Sequence, residues 1–229
     1  MTKSENEERR QRILDVAANL IVHYGYDKTT VSDIAREAGI SKGAIYLHFD
    51  SKEALFEGLI VREMERYTAV WLSRLEADEQ GGTIGSMYKN SLYAMNSSPF
   101  ISALFRQDSR VFGNYVRKPG NFFQTFRQQQ AESTRTVFIK MMQDAGAIRQ
   151  DLDAKVVAHV MDMLAYGLVG LEEVLPKESF PPIEEVIEAI ATIMNDALTL
   201  KDGNHEAGKT IVNQLVDAGR QQLETMQQE

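Results

Sequence analysis

Apolar residues recur every three to four positions along almost the whole chain, and the residues that would interrupt that rhythm stand between the periodic stretches. Only five prolines occur (Pro99, Pro119, Pro176, Pro181 and Pro182), and four of them sit beside other breakers. No apolar–polar alternation outcompetes the helical period of about 3.6 residues, and no repeat or low-complexity tract appears. An all-α fold follows. The spacing predicts helices over 5–24, 30–38, 41–49 and from 51 to the glycine pair 81–82. Further helices are expected at roughly 83–96, 100–116, 120–145, 153–175, 182–200 and 205–227.

Several classes are excluded early. No apolar run reaches the ~18 residues a spanning helix needs, and the opening Met1-Thr2-Lys3-Ser4-Glu5-Asn6-Glu7-Glu8 is too polar for a secretory signal. The absence of cysteine removes disulfides, thiolate metal sites and cysteine nucleophiles. A cytoplasmic location with no membrane role is expected. The net charge of −8 argues in bulk against nucleic acid, yet residues 1–50 carry seven Lys/Arg against eight Asp/Glu, a net of −1. The acidity is concentrated beyond residue 50, so a basic face remains possible if it is built by placement.

The most informative stretch runs from Thr30 to Phe49. Thr30-Val31-Ser32-Asp33 has capping-box spacing, with Asp in place of the usual Glu or Gln. Ser41 then caps a second short helix after a turn built on Gly39. Ala35 and Ala38 allow the two helices to cross closely, while Ile34, Ile40 and Ile45 fill the angle. This is helix-turn-helix logic. At about 100° per residue, Ile45 and Phe49 share the core arc, and Gly43, Ala44 and Leu47 point away from it. Lys42, Tyr46 and His48 flank that outward arc. Gly43 inside a helix costs about 0.5–1 kcal/mol relative to Ala, which suggests a purpose other than stability. Lys52 opens the next helix, whose free N–H groups suit an anion. On the corner alone, a purely structural turn in an all-α protein explains these residues equally well.

The fuller pattern favours one reading. From Ile13 to Leu55 the chain resembles the DNA-binding domain of the TetR/AcrR family of bacterial transcriptional regulators. The matching positions are Gly25-Tyr26, Thr29-Thr30, Ile34-Ala35, Ala38-Gly39-Ile40-Ser41, Gly43, Tyr46, His48-Phe49, Lys52-Glu53 and Leu55. The resemblance implies an N-terminal three-helix DNA-binding domain (residues 1–50) followed by a larger helical ligand-binding and dimerisation bundle (51–203). A homodimer would read a palindromic operator in double-stranded DNA through Thr30, Ser41, Lys42, Gly43, Ala44, Tyr46, Leu47, His48 and Lys52. Leu47 departs from the polar or aromatic residue common in relatives, and a contact with a thymine methyl is the expected substitute.

Beyond residue 55 the resemblance is only of length and helix order. Aromatic and methionine residues recur on helical faces, and core packing accounts for most of them. A subset is expected to line the cavity for a small apolar or amphipathic effector that the resemblance implies: Tyr67, Trp71, Tyr88, Met95, Phe105, Phe126, Met141, Met163 and Tyr166. Arg110, if buried, would orient an anionic group. Residues 153–175 and 182–200 are apolar around so much of their circumference that they require burial on two sides. Either they form a central helix pair of the monomer or, as the resemblance implies, they meet a two-fold copy.

No cofactor, metal site or catalytic constellation is expected. The four histidines His23, His48, His159 and His205 form no paired ligand spacing, although His159 and Asp162 can share a helix face. Glu172-Glu173 and Glu184-Glu185 diverge on a helix and read as solvated surface. The competing function is a helical carrier for hydrophobic molecules with no DNA role, for which Gly43, Tyr46, His48 and Lys52 have no purpose. Residues 204–229 form either a frayed tail or an additional helix, and the stripe Ile211, Leu215, Ala218, Gln222 and Met226 favours the helix.

Overall fold

The computed structural model describes residues 3–128, 132–171, 176–204 and 207–228. The expectations placed on His205 and Glu172-Glu173 lie outside these residues. Twelve α-helices are found among the described residues. They are α1 (Lys3–Tyr24), α2 (Val31–Glu37), α3 (Lys42–Tyr46), α4 (Lys52–Ala77), α5 (Ile84–Asn96) and α6 (Pro99–Arg106), then α7 (Ser109–Phe112), α8 (Phe122–Gln128), α9 (Thr134–Asp144), α10 (Ala154–Gly170), α11 (Ile183–Leu198) and α12 (Ala207–Gln228). The described residues pack as two compact units. One takes residues up to 66 together with 99–128, and the other takes 67–98 and those from 132 onward.

The first unit is larger than the helix-turn-helix segment. Ile13, Leu14, Ala17 and Ile21 of α1 share a core with Ile34, Ile45, Phe56, Leu59, Phe100, Phe112 and Tyr115. Phe56 is its hub, with ring centroids 4.7 Å from both Tyr26 and Tyr115 and 5.7 Å from Phe112. Truncating such a buried ring costs about 3–5 kcal/mol. Gly25 ends α1 at φ +84°, and a Cβ there would lie 2.6 Å from the Arg110 carbonyl oxygen. That close approach lets the Tyr26 N–H donate to the Val111 carbonyl at 2.7 Å. Arg62 on α4 is almost fully buried, and it donates to Glu63 at 2.6 Å, Asp15 at 2.9 Å and the Gln11 carbonyl at 3.2 Å. A buried guanidinium demands this degree of pairing, and it ties α4 to α1.

In the second unit, α5 lies so close to α11 that a Cβ on Gly85 would come within 2.3 Å of the Ala191 carbonyl oxygen. The Gly85 N–H donates to Asn195 Oδ1 at 2.8 Å. Trp71 Nε1 donates to the Met87 carbonyl at 3.0 Å, and the Tyr88 hydroxyl donates to the Met161 carbonyl. α12 packs against α9, with Ile211 and Val212 buried and Gly208 tight against the Gly82 carbonyl.

Two expected helices are divided. The stretch 100–116 breaks where Gln107 takes φ +51°, and Asp108 restarts it by accepting the Arg110 N–H at 2.9 Å. A 3₁₀ turn then occupies Gly113–Arg117. The stretch 120–145 stops at Gln128 and resumes at Thr134, where Ser133 Oγ accepts the Thr136 N–H at 3.1 Å. In both places a side-chain oxygen that satisfies the first helical N–H groups makes a new start favourable. No helix among the described residues is long and apolar enough to cross a membrane.

Candidate nucleic-acid interface

The Thr30 hydroxyl oxygen accepts the Asp33 N–H at 3.1 Å, and Asp33 accepts the Thr30 N–H at 3.2 Å. The Asp33 carboxyl is held below its usual range chiefly by the Thr30 hydroxyl and N–H, then by Arg36. Gly39 turns the chain at φ +66°, and Ser41 Oγ accepts the Ala44 N–H at 3.1 Å to open α3. α3 is shorter than its pattern suggested, ending at Tyr46 rather than Phe49.

Ile45 anchors α3 at 1% exposure, while Ser41, Lys42, Gly43, Tyr46 and Leu47 are exposed and Ala44 is half-buried. Leu47, at 82% exposure, is the most exposed large apolar side chain among the described residues. A Cβ on Gly43 would meet nothing nearer than Ser41 Oγ at 3.8 Å. Nothing within the chain requires glycine there. The Lys42 ammonium lies 5.8 Å from the Tyr46 ring centroid. His48 is half-buried, and its pKa is lowered first by burial and then by Arg9 and Arg10, with Glu7 opposing.

Lys52 is placed differently from its neighbours in this set. Its ammonium turns inward, 2.6 Å from the Tyr26 carbonyl oxygen and 4.1 Å from the Tyr26 ring centroid. Burial lowers its pKa. Ser51 Oγ accepts the Ala54 N–H at 2.9 Å, so one of the free donors at the start of α4 is already used. Residues 113–122 reach the same end of α4 by contacts no local pattern could reveal. Tyr115 donates to Glu57 at 2.8 Å, Lys118 pairs with Glu53, and Asp27 accepts the Asn114 N–H at 3.0 Å.

The residues expected to line an effector cavity do not gather in one place. Phe105, Arg110 and Phe126 belong to the first unit, and the others belong to the second. The condition on Arg110 is not met: its side chain is 67% exposed and paired with Asp108 at 2.8 Å. Phe105 is 37% exposed, and Phe126 stacks on Phe122 with centroids 5.9 Å apart. Tyr88 and Met95 are buried, Met141 is half-buried, and Tyr67 stacks on Trp71 at 6.3 Å. Arg135, which the sequence did not single out, holds its guanidinium 5.5 Å from the Tyr88 ring centroid and donates to Asp162 at 2.6 Å. Met163 and Tyr166 instead point outward, each 61% exposed, on the face of α10 that also carries Val156 and Val160. An open cleft of about 280 Å³ between α9 and α10 is lined by polar groups including Thr136, Lys155, His159 and Asp162. None of the residues expected to bind an effector lines it.

Residues 13–59 match the family described as bacterial regulatory proteins, tetR family. An HTH-type transcriptional repressor of Mycobacterium tuberculosis is 29% identical over 164 residues, which span 71% of this chain and 81% of that protein. The HTH-type transcriptional regulator AcrR of Shigella flexneri is 49% identical over 55 residues, only 24% of this chain and 26% of AcrR. Among solved structures, the regulator FadR of Bacillus subtilis in complex with stearoyl-CoA matches with a TM-score of 0.60 at 15% identity, over 80% of this chain and 96% of that one. That likeness is one of fold. Residues 13–59, which hold the capped helices and outward α3 face described above, are a segment of the TetR family of bacterial regulatory proteins.

Proposed function

We propose that the chain is an effector-responsive transcriptional repressor whose homodimer places two copies of α3 in successive major grooves of a palindromic operator. One observation carries the reading: α3 is anchored by Ile45 and presents Gly43, Ala44 and Leu47 outward, with a glycine that its own fold does not need. Small outward residues let a helix backbone approach base edges, and Leu47 suits a thymine methyl. Lys42 and Tyr46 flank that surface and can hold phosphates, as can Thr30.

The outward stripe Val156, Val160, Met163 and Tyr166 of α10, with Ile193 of α11, supports dimerisation through helices near 153–175 and 182–200. Large apolar side chains so exposed in a single copy are those a two-fold partner covers. The effector is a small apolar or amphipathic molecule held in the second unit among Tyr67, Trp71, Tyr88, Met95 and Met141, in keeping with the acyl-CoA bound to the FadR relative. It releases DNA by favouring a conformation in which the two recognition helices no longer sit about 34–36 Å apart.

The test begins with duplexes selected by the purified chain from a random-sequence library. Enrichment of a palindrome is expected, and Ala44→Glu should abolish binding to it by bringing a carboxylate against the groove, while the circular dichroism spectrum and melting temperature stay those of the parent. An Ala44→Glu protein that binds like the parent removes α3 from the interface.

A further inference from the structure

α1 begins ten residues before its first buried side chain, Ile13, so about 15 Å of helix precedes that residue. Ser4 to Glu8 are exposed, and only Arg9, Arg10 and Gln11 are half-buried. Packing does not account for this overhang, since a solvated turn gains little from propensity alone. Arg10 holds its guanidinium 5.5 Å from the centroid of Phe49, the residue that follows His48, and its Nη2 lies by Gly58 at the start of α4. The Phe49 and His48 rings are 6.4 Å apart. Glu7 Oε1 lies 3.8 Å from Arg10 Nη1 and also accepts from Gln11 at 2.7 Å.

The set of side chains assigned to phosphates is short of charge. Lys52 is committed to the Tyr26 carbonyl, and His48 titrates below its ordinary range. Lys42 is the one ammonium of that set left exposed.

Resting on the DNA-binding reading above, we propose that Arg9 and Arg10 form a second phosphate-binding site at the open end of α1, clamping the DNA backbone beside the His48 edge of the recognition element. Two guanidinium groups on adjacent residues, one of them held over the Phe49 ring, offer the DNA backbone the cations that the inward-turned Lys52 ammonium does not present. The partner is the sugar–phosphate backbone of duplex DNA, so the site adds affinity and register but reads no base.

The experiment uses the full chain and the duplex it selects, with binding followed by fluorescence anisotropy across a salt series. In Arg9→Ala/Arg10→Ala the salt slope should fall by about four units and affinity by about tenfold or more near 0.1 M salt, because each phosphate contact contributes a slope of about 0.9 and the dimer loses two from each protomer. Arg9→Lys/Arg10→Lys should restore the slope, since charge rather than stacking sets it. Lys140→Ala/Lys201→Ala, with the same loss of charge in the second unit and outside the helices assigned to the dimer, should keep the parent slope. An alanine pair with the parent's slope, or a lysine pair that does not recover it, overturns the clamp and leaves DNA binding intact. If the alanine pair does not fold, Arg9→Ala alone decides, with a loss of about two units expected across the dimer and an unchanged slope counting against the site. If the parent selects no duplex, the clamp and the DNA-binding reading fall together.

Discussion

Gly43 and Lys52 show opposite limits of what a residue's type reveals. The wheel places Gly43 outward, and the structure keeps it exposed with no intrachain neighbour that would forbid a side chain. The caps Thr30, Ser41 and Ser51 were equally legible, because each acts on a backbone N–H three residues away. The inward turn of Lys52 was not, since its partner is a carbonyl 26 residues back in the chain. His48 offers a test at this scale. Burial, Arg9 and Arg10 depress its pKa in the free protein, with Glu7 opposing, whereas DNA phosphates favour the protonated form. Binding therefore takes up a proton. Affinity for the selected duplex should rise as pH falls from about 8 to about 6, and anisotropy with His48→Gln should lose that component. For stability alone the sign is reversed: a histidine whose folded pKa lies below its unfolded one weakens the fold as pH drops through the unfolded value.

Elements built on local periodicity were readable, and their interruptions were not. α4, α5, α10 and α11 begin within two residues of their expected starts because a cap or a proline precedes a long apolar stripe. The break at Gln107 carries no glycine or proline to announce it; a left-handed glutamine is tolerated because Asp108 caps the next turn and Val111, Phe112 and Tyr115 are buried beyond it. The segment that follows depends on one hydroxyl. Tyr115 donates to Glu57 at 2.8 Å and accepts the Phe122 N–H at 3.1 Å, and burial raises its pKa so that it stays protonated. Tyr115→Phe leaves that N–H and the Glu57 carboxylate without their partner. A loss of about 1–3 kcal/mol is expected, read from urea unfolding, with no change in the packing of the ring.

At the scale of the molecule, the chain's apolar residues divide between cores it completes alone and a face it does not. Tyr166 and Met163 read as effector residues because aromatic and methionine side chains look alike in a sequence whether they face a cavity or a partner. Their exposure beside Val156 and Val160 supports the partner-facing role proposed above. Tyr166→Glu/Ile193→Asp should give a monomer by analytical ultracentrifugation, with the far-ultraviolet spectrum unchanged and palindrome binding weakened to that of a single half-site. A dimer that survives both substitutions would move the interface elsewhere. α12 belongs to the completed part, since Ile211 and Val212 are buried and Gly208 approaches the Gly82 carbonyl.

The first unit closes its core only with Phe100, Phe112 and Tyr115, which lie at least forty residues beyond the last helix-turn-helix position. The DNA-reading part is thus not a cassette in the gene. A crossover that joins residues 1–66 of one relative to the remainder of another splices half of one core to half of a different one, and the ring set around Phe56 has to fit both parents. Recombination can exchange exposed α3 residues such as Gly43, where a Cβ would meet nothing nearer than Ser41 Oγ at 3.8 Å. It can transplant the helices that carry them only together with the stretch 99–128. New operator specificities in such a lineage are therefore expected to arise by point changes on the α3 surface more readily than by wholesale exchange of the N-terminal segment.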